Sequence, residues 1–401
     1  MVIKEDVILF LPHFLDRGGS TTLNVHLTKN LGLDSYGIGG EEPLHGIRFF
    51  KTFDELKEQI KKDKPNLKAV IFDNTFFKVM KDEETAINDY APFKKFFSDL
   101  DKEYNRHIIK IYMEIDRHKT GAALNSKKHS INIMNKEADY ILGYSKRFGE
   151  MYEPEKFKHI DLNLFEFSDN NLKPNYKNNV LGYTCRFVGF KGSIRAWNTI
   201  LDNFDETFTY AQYGFEYNLS KRTGKPSGEI RTILAICNSL KDKTPKTNVV
   251  IHKNTEEEFI KNKINAYNRY DYESANSILK NISLGFCPTM GIRRNSKRDF
   301  NELNKLVLSW EKALEYVNLE FADLEIPVLY SKYYINNYEP KWLDEFPELI
   351  YDDFEDAIEK AKVLLKQPEE LERLGKLQKK LIREKIEKLT EDMKKTLEDL
   401  I

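Results

Sequence analysis

Apolar and polar positions change their period along this chain, and the changes outline strands alternating with helices. Short apolar runs without alternation mark strands buried on both faces. In the first half they fall at 6–11 (Asp-Val-Ile-Leu-Phe-Leu), 68–73, 107–112 and 138–145. Leu23, Leu27 and Leu31 share one face of a helix after the first run. The plan recurs at 180–184, 207–211, 248–252 and 283–289, with helical patterns over 194–201 and 256–264. Leu303, Leu306, Val307, Trp310, Leu314 and Val317 then form a helical stripe. Pro327 is expected to stop that helix, and Val328-Leu329-Tyr330 to start a buried strand. Helices are expected over 354–366 and 369–400, the last with Glu and Lys at i,i+4 spacing. This alternation predicts an α/β protein with a doubly wound parallel sheet in the first half and a second α/β unit after it.

At 401 residues the chain accommodates two domains. The pattern lapses between 165 and 178 into Ser-Asp-Asn-Asn-Leu-Lys-Pro-Asn, which reads as a linker. A formal net charge of -1 neither demands nor excludes a nucleic-acid partner. Lys and Arg nevertheless outnumber Asp and Glu over 176–300, as solvated Lys-rich loops or as a phosphate-binding surface. Cys185, Cys237 and Cys287 are widely spaced and form no metal-ligand pattern, which fits a reducing compartment. No signal core and no run near the ~20 apolar residues of a membrane span is present, so the cytoplasm is expected and a membrane partner is not.

Several stretches carry candidate chemistry. Arg17-Gly18-Gly19-Ser20-Thr21-Thr22 opens a helix after the first strand, where free backbone N–H groups can meet an anion or a sugar. It is neither a dinucleotide fingerprint nor a P-loop, and a plain strand–turn–helix joint accounts for it equally well. Glu114, Asp116 and His118 follow the third strand, where open α/β sheets line their ligand crevice, although solvated loop residues also end strands. Arg186 and Lys191 lie between a strand and a helix start, an arrangement that can cradle a diphosphate or simply be an ordinary loop. Lys221 and Arg222, and above all Arg293, Arg294, Lys297 and Arg298, form basic stretches. They read as solvated insertions or as contacts for a nucleic-acid backbone. Glu315 and Glu320 read first as carboxylates of a surface helix.

Taken together, these residues resemble the GT-B glycosyltransferases. Retaining members carry Glu-Ala-x-Ala-x-Gly-x-Pro-Val, and Glu320-Phe321-Ala322-Asp323-Leu324-Glu325-Ile326-Pro327-Val328 keeps the Glu and the Pro-Val in register. More narrowly, the chain resembles the DNA α-glucosyltransferases of T-even bacteriophages along nearly its whole length. The likeness is strongest at Leu314-Glu315-Tyr316 with Leu319-Glu320 and Ile326-Pro327-Val328, at Arg186 with Lys191-Gly192, and at the acid and His after Tyr112. The sequence departs from the pattern at Glu325, where Gly is usual, at Gly285-Phe286-Cys287, and in an apparent insertion holding Arg293–Arg298.

The resemblance implies two Rossmann-like domains facing across a cleft: an acceptor (DNA) domain over 1–170 and a donor domain over 178–375. A C-terminal helix over 376–401 could return to the first domain. It implies a UDP-sugar donor, UDP-glucose or another, with no obligatory metal. Glu320 would grip the ribose, Arg186 and Lys191 the diphosphate, and Gly18, Gly19, Ser20, Gly285 and Phe286 would line the donor. Asp116, with Glu114 and His118, would stand at the reacting centre. Lys221, Arg222, Arg293, Arg294, Lys297 and Arg298 would hold DNA. The implied activity is retaining hexosyl transfer to 5-hydroxymethylcytosine or 5-hydroxymethyluracil in duplex phage DNA, protecting it from nucleases. The enzyme would be a monomer in the host cytoplasm. A carbohydrate acceptor, or a non-catalytic nucleotide- or DNA-binding module, is the alternative.

Overall fold

The computed structural model describes residues 3–11, 19–39, 47–73, 82–114, 121–143, 149–162, 164–168, 173–184, 209–213, 248–252, 279–287, 316–332 and 345–401. They divide into two compact units. The first comprises Met1–Glu166 with Glu384–Ile401, and the second Phe167–Arg383.

The first unit is built on a seven-stranded parallel sheet in the order β3-β2-β1-β4-β5-β6-β7. Its strands are β1 (Val7–Leu11), β2 (Asp34–Ile38), β3 (Ile47–Phe50), β4 (Ala69–Asp73), β5 (Ile109–Glu114), β6 (Tyr140–Gly143) and β7 (Phe157–His159). Every residue of β1 and β4 is buried, as expected of central parallel strands covered on both faces. A single helical turn, α1 (Ile3–Asp6), precedes the sheet. The main helices are α2 (Gly19–Leu31), α3 (Phe53–Asp63), α4 (Glu83–Tyr104) and α5 (Gly121–Glu137).

The sequence of α4 explains its placement. Asp82 caps its N-terminus by accepting from the Thr85 N–H, and Asn105 closes it in the left-handed region at φ 49°. Ala86, Tyr90, Phe93, Phe97 and Leu100 recur at helical spacing and are buried. Phe96 packs its ring 4.9 Å from that of Phe10 on β1. Each such ring contributes about 1.5–3 kcal/mol by leaving water. Lys57–Asp99 and Lys61–Glu103 pairs tie α3 to α4 at the surface.

The second unit carries a six-stranded parallel sheet in the order β10-β9-β8-β11-β12-β13. Its strands are β8 (Val180–Thr184), β9 (Thr209–Tyr213), β10 (Asn248–His252), β11 (Leu284–Cys287), β12 (Val328–Ser331) and β13 (Ile350–Tyr351). Against it lie α6 (Tyr316–Asp323) and α7 (Phe354–Leu365), the latter capped by Asp353 and burying Phe354, Ala357, Ile358, Ala361, Leu364 and Leu365. The last helix, α8 (Pro368–Leu400), is continuous and contributes residues to both units.

Strand order reverses between β1 and β4 in one sheet and between β8 and β11 in the other. In open parallel sheets such reversal points leave a crevice at the carboxyl ends of the strands, where ligands bind. Both units are therefore doubly wound.

Candidate functional site

In the second unit the carboxyl end of β11 meets α6 at Asn318, beside the crevice position, and α6 then runs back to a turn at the amino end of β12. The helix stripe expected before Tyr316, with Glu315, lies outside the described residues. From Tyr316 the helix ends earlier than Pro327 dictates. It closes at Asp323 through paired bonds, Ile326 N–H to the Phe321 carbonyl (2.8 Å) and Glu325 N–H to the Ala322 carbonyl (3.0 Å). This is a Schellman turn, which needs its penultimate residue in the left-handed region. Glu325 occupies that position at φ 59°. The family pattern has Gly there, and the backbone requirement is met here by a residue that pays a steric cost for it. Glu325→Gly is expected to raise stability by about 1 kcal/mol, less the weak 3.8 Å pair with Lys379. A chemical-denaturation curve checks it, and a loss of stability would contradict it.

The turn is held from two further sides. Tyr176 donates its hydroxyl to the Glu325 carbonyl at 2.8 Å. Gly375 of α8 lies so close that a Cβ added there would stand 1.8 Å from the same oxygen. Burial beside Glu325 raises the Tyr176 hydroxyl above its usual range, so it remains a donor.

Glu320 sits one turn before this closure and is 5% exposed. Gly285 pairs with Val328 in the sheet. A Cβ on it would stand 2.8 Å from Val328 Cγ2 and 3.0 Å from Phe321 Cδ2, so its small size lets α6 lie close to β11. Phe286 points into the core, its ring 5.7 Å from Tyr351 and 5.8 Å from Phe354. Asn318, fully buried on α6, donates toward Cys287 Sγ at 3.8 Å, and Tyr351 donates to the Cys287 carbonyl at 2.7 Å. The strand end, α6 and β13 are thus fastened together.

Asp323 completes the arrangement. Its carboxylate accepts the Ser168 backbone N–H (3.0 Å) and the Ser168 hydroxyl (2.5 Å). Lys379 of α8 lies 3.8 Å from the same carboxylate and donates to the Asp323 carbonyl at 2.6 Å. Burial pushes the Asp323 carboxyl up, opposed by the Ser168 bonds and by Lys379 and Arg383.

In the first unit, Glu114 is the last residue of β5 and is 3% exposed. It accepts the Tyr152 hydroxyl at 2.5 Å. Burial, with Glu114 close by, holds that hydroxyl far above its ordinary pKa. Asp73 ends the neighbouring β4 and accepts from Asn24 Nδ2 of α2 at 2.8 Å, both side chains 1% exposed. This pair lies where the strand order reverses. Sequence reasoning passed over Asp73, Asn24 and Asp323. The available signal was a polar residue, Asn24, beside the buried Leu23, Leu27 and Leu31 of α2. Gly19 and Ser20 open α2, as their loop position anticipates. Gly18, Asp116, His118, Arg186, Lys191, Lys221, Arg222, Arg293, Arg294, Lys297 and Arg298 lie outside the described residues. Among the described residues no cluster of His, Cys, Asp and Glu could hold a metal ion, and no helix is long and apolar enough to cross a membrane.

No protein-family model matches the sequence, and no curated protein matches it. Solved structures do. Anabaena HepE, in complex with UDP and glucose, is similar over 98% of this chain and 100% of its own, with a TM-score of 0.58 at 11% identity. A mutant of S. aureus TarM, in complex with fondaparinux, α-GlcNAc-glycerol and UDP, covers 98% and 99%, with a TM-score of 0.57 at 11% identity. The fold is that of the GT-B glycosyltransferases. T4 phage BGT, in complex with UDP and Mn2+, shares the GT-B fold over 98% of this chain and 99% of its own, with a TM-score of 0.50 at 10% identity. These three GT-B structures were all determined with UDP present.

Proposed function

We propose that this protein is a retaining glycosyltransferase that moves a hexose, glucose first among candidates, from a UDP-sugar to the hydroxymethyl group of 5-hydroxymethylcytosine or 5-hydroxymethyluracil in DNA. The observation that carries the donor half is the left-handed Glu325 closing the Glu320 helix ahead of Pro327-Val328. The backbone there has the form that a Gly in the family pattern would give, in a residue register set by Glu320. UDP in the HepE, TarM and BGT complexes supports the same donor.

In this reading Glu320 accepts hydrogen bonds from the ribose hydroxyls. Arg186 and Lys191 neutralise the diphosphate as it leaves, a contribution of about 3–4 kcal/mol per contact in a water-poor site. The bond from the anomeric carbon to the phosphate oxygen breaks with its electron pair going to UDP. The acceptor oxygen bonds to the anomeric carbon from the same face, and its proton passes to the departing phosphate. Asp116 orients the hydroxyl. Tyr152 already engages Glu114, so Glu114 serves better as a support for the strand end than as the base. A base inside a duplex must flip out to be reached. Arg293, Arg294, Lys297, Arg298, Lys221 and Arg222 would then hold the flanking phosphates. The enzyme would work as a monomer in the cytoplasm of an infected host. Duplex DNA as the acceptor rests on the sequence resemblance and these basic stretches.

The alternative is a carbohydrate acceptor, favoured by glucose in the HepE complex and by α-GlcNAc-glycerol in the TarM complex. Mass spectrometry of nucleosides from hydroxymethylated DNA, after incubation with a panel of UDP-sugars, separates the two. A hexosylated nucleoside is the expected result. UDP release only with carbohydrate acceptors would overturn the DNA reading, and no UDP release with any acceptor would overturn catalysis.

A further inference from the structure

The two connections between the units leave the second unit at Phe167 and Arg383. These two residues meet, with the Arg383 guanidinium 5.7 Å from the Phe167 ring centroid. One residue on from Phe167, Ser168 gives both its backbone N–H and its hydroxyl to Asp323. One turn before Arg383, Lys379 reaches the carboxylate and the backbone carbonyl of that same Asp323. Asp323 is the last residue of α6, three positions after Glu320 and therefore on the same side of the helix.

We infer that Asp323 is a positioning residue for the donor site, fixing the Glu320 helix to both connections so that displacement of either is felt at Glu320. The inference rests on the reading that Glu320 binds the donor ribose. Stiffness of the last turn of α6 carries this coupling. Asp323 is 3% exposed, and hydrogen bonds to a buried carboxylate are strong and costly to leave unmade. The Schellman closure immediately after it is gripped by Tyr176 and abutted by Gly375. The last turn of α6 therefore has little freedom to move independently of Ser168 and Lys379. A mere packing role would leave UDP affinity unchanged in a folded variant, whereas a positioning role lowers it without any substitution in a donor-contacting residue.

The experiment is calorimetric titration of UDP into the full-length chain, well below each variant's melting midpoint. Ser168→Ala and Lys379→Met each remove one tie and are expected to weaken UDP roughly fivefold, and Asp323→Ala roughly tenfold or more. Asp323→Asn keeps an acceptor for the Ser168 N–H and should recover part of the loss. Lys394→Met, which removes an exposed pair with Glu391 farther along the same helix, should bind UDP as the wild type does. Wild-type affinity in folded Ser168→Ala and Lys379→Met would overturn the inference, even if Asp323→Ala failed to fold. Absence of UDP binding by the wild-type chain would instead overturn the donor reading itself, and that arm is read before any variant.

Discussion

Glu320→Ala is expected to weaken UDP and UDP-sugar binding roughly 10- to 100-fold with the chain still folded. Hydrogen bonds to a charged group contribute about 1.5–3 kcal/mol, and each 1.4 kcal/mol is a factor of ten. Glu320 is held at 5% exposure one turn ahead of a rigid helix closure, so little reorganisation precedes binding. The loss should appear as weaker donor affinity and a higher donor KM, since the ribose is remote from the breaking bond. Glu320→Gln retains one acceptor oxygen and should fall between. Calorimetry with UDP, paired with a melting curve, measures it. Undiminished affinity in a folded Glu320→Ala chain would remove Glu320 from the donor site.

Gly375→Ala is expected to destabilise the second unit by at least about 2 kcal/mol. Two effects oppose one another. Ala is the better helix former by about 1 kcal/mol, which alone would favour the substitution. Its methyl, however, would stand 1.8 Å from the Glu325 carbonyl oxygen and 3.2 Å from the Tyr176 hydroxyl. Backbone cannot yield as a side-chain tip can, so α8 must shift or the turn must open, at about 3 kcal/mol or more. The clash wins. Denaturant titration of Gly375→Ala and Gly375→Ser tests the sign, and a stabilised Ala variant would contradict the close approach.

Much of the fold is legible in the sequence because buried parallel strands are continuous apolar runs. Val180–Thr184 and Asn248–His252 form strands over the residues whose pattern predicts them. Asp34–Ile38 escapes the same reading, since Asp34, Ser35 and Gly37 depress its apolar and β-forming character. Its burial comes from tertiary partners such as the Thr28 hydroxyl against Ser35. Phe157–His159 is too short, at 3 residues, to show a period. In the candidate site, the register from Glu320 to Val328 is legible from the Glu and the Pro-Val, while the left-handed turn at Glu325 is not, because the Gly that marks such a position is replaced. Asp323 is not legible. An acid in a last helical turn reads as solvated, and its partners lie 155 and 56 positions away. Phe286 shows the converse: the family resemblance implies a donor contact, while its ring packs against Tyr351 and Phe354 in the core.

The straddling of α8 bears on how the protein is made. Thr390 reaches toward Asn30 of α2, and Ile386, Met393 and Leu397 are buried, so the final turns are part of the first unit's interior. During synthesis the strands of that unit emerge before the second unit, yet Glu384–Ile401, which contribute to its core, are translated after it. The first unit must wait as an incomplete intermediate while the second is being built, with the surface destined for α8 exposed to chaperones or to aggregation.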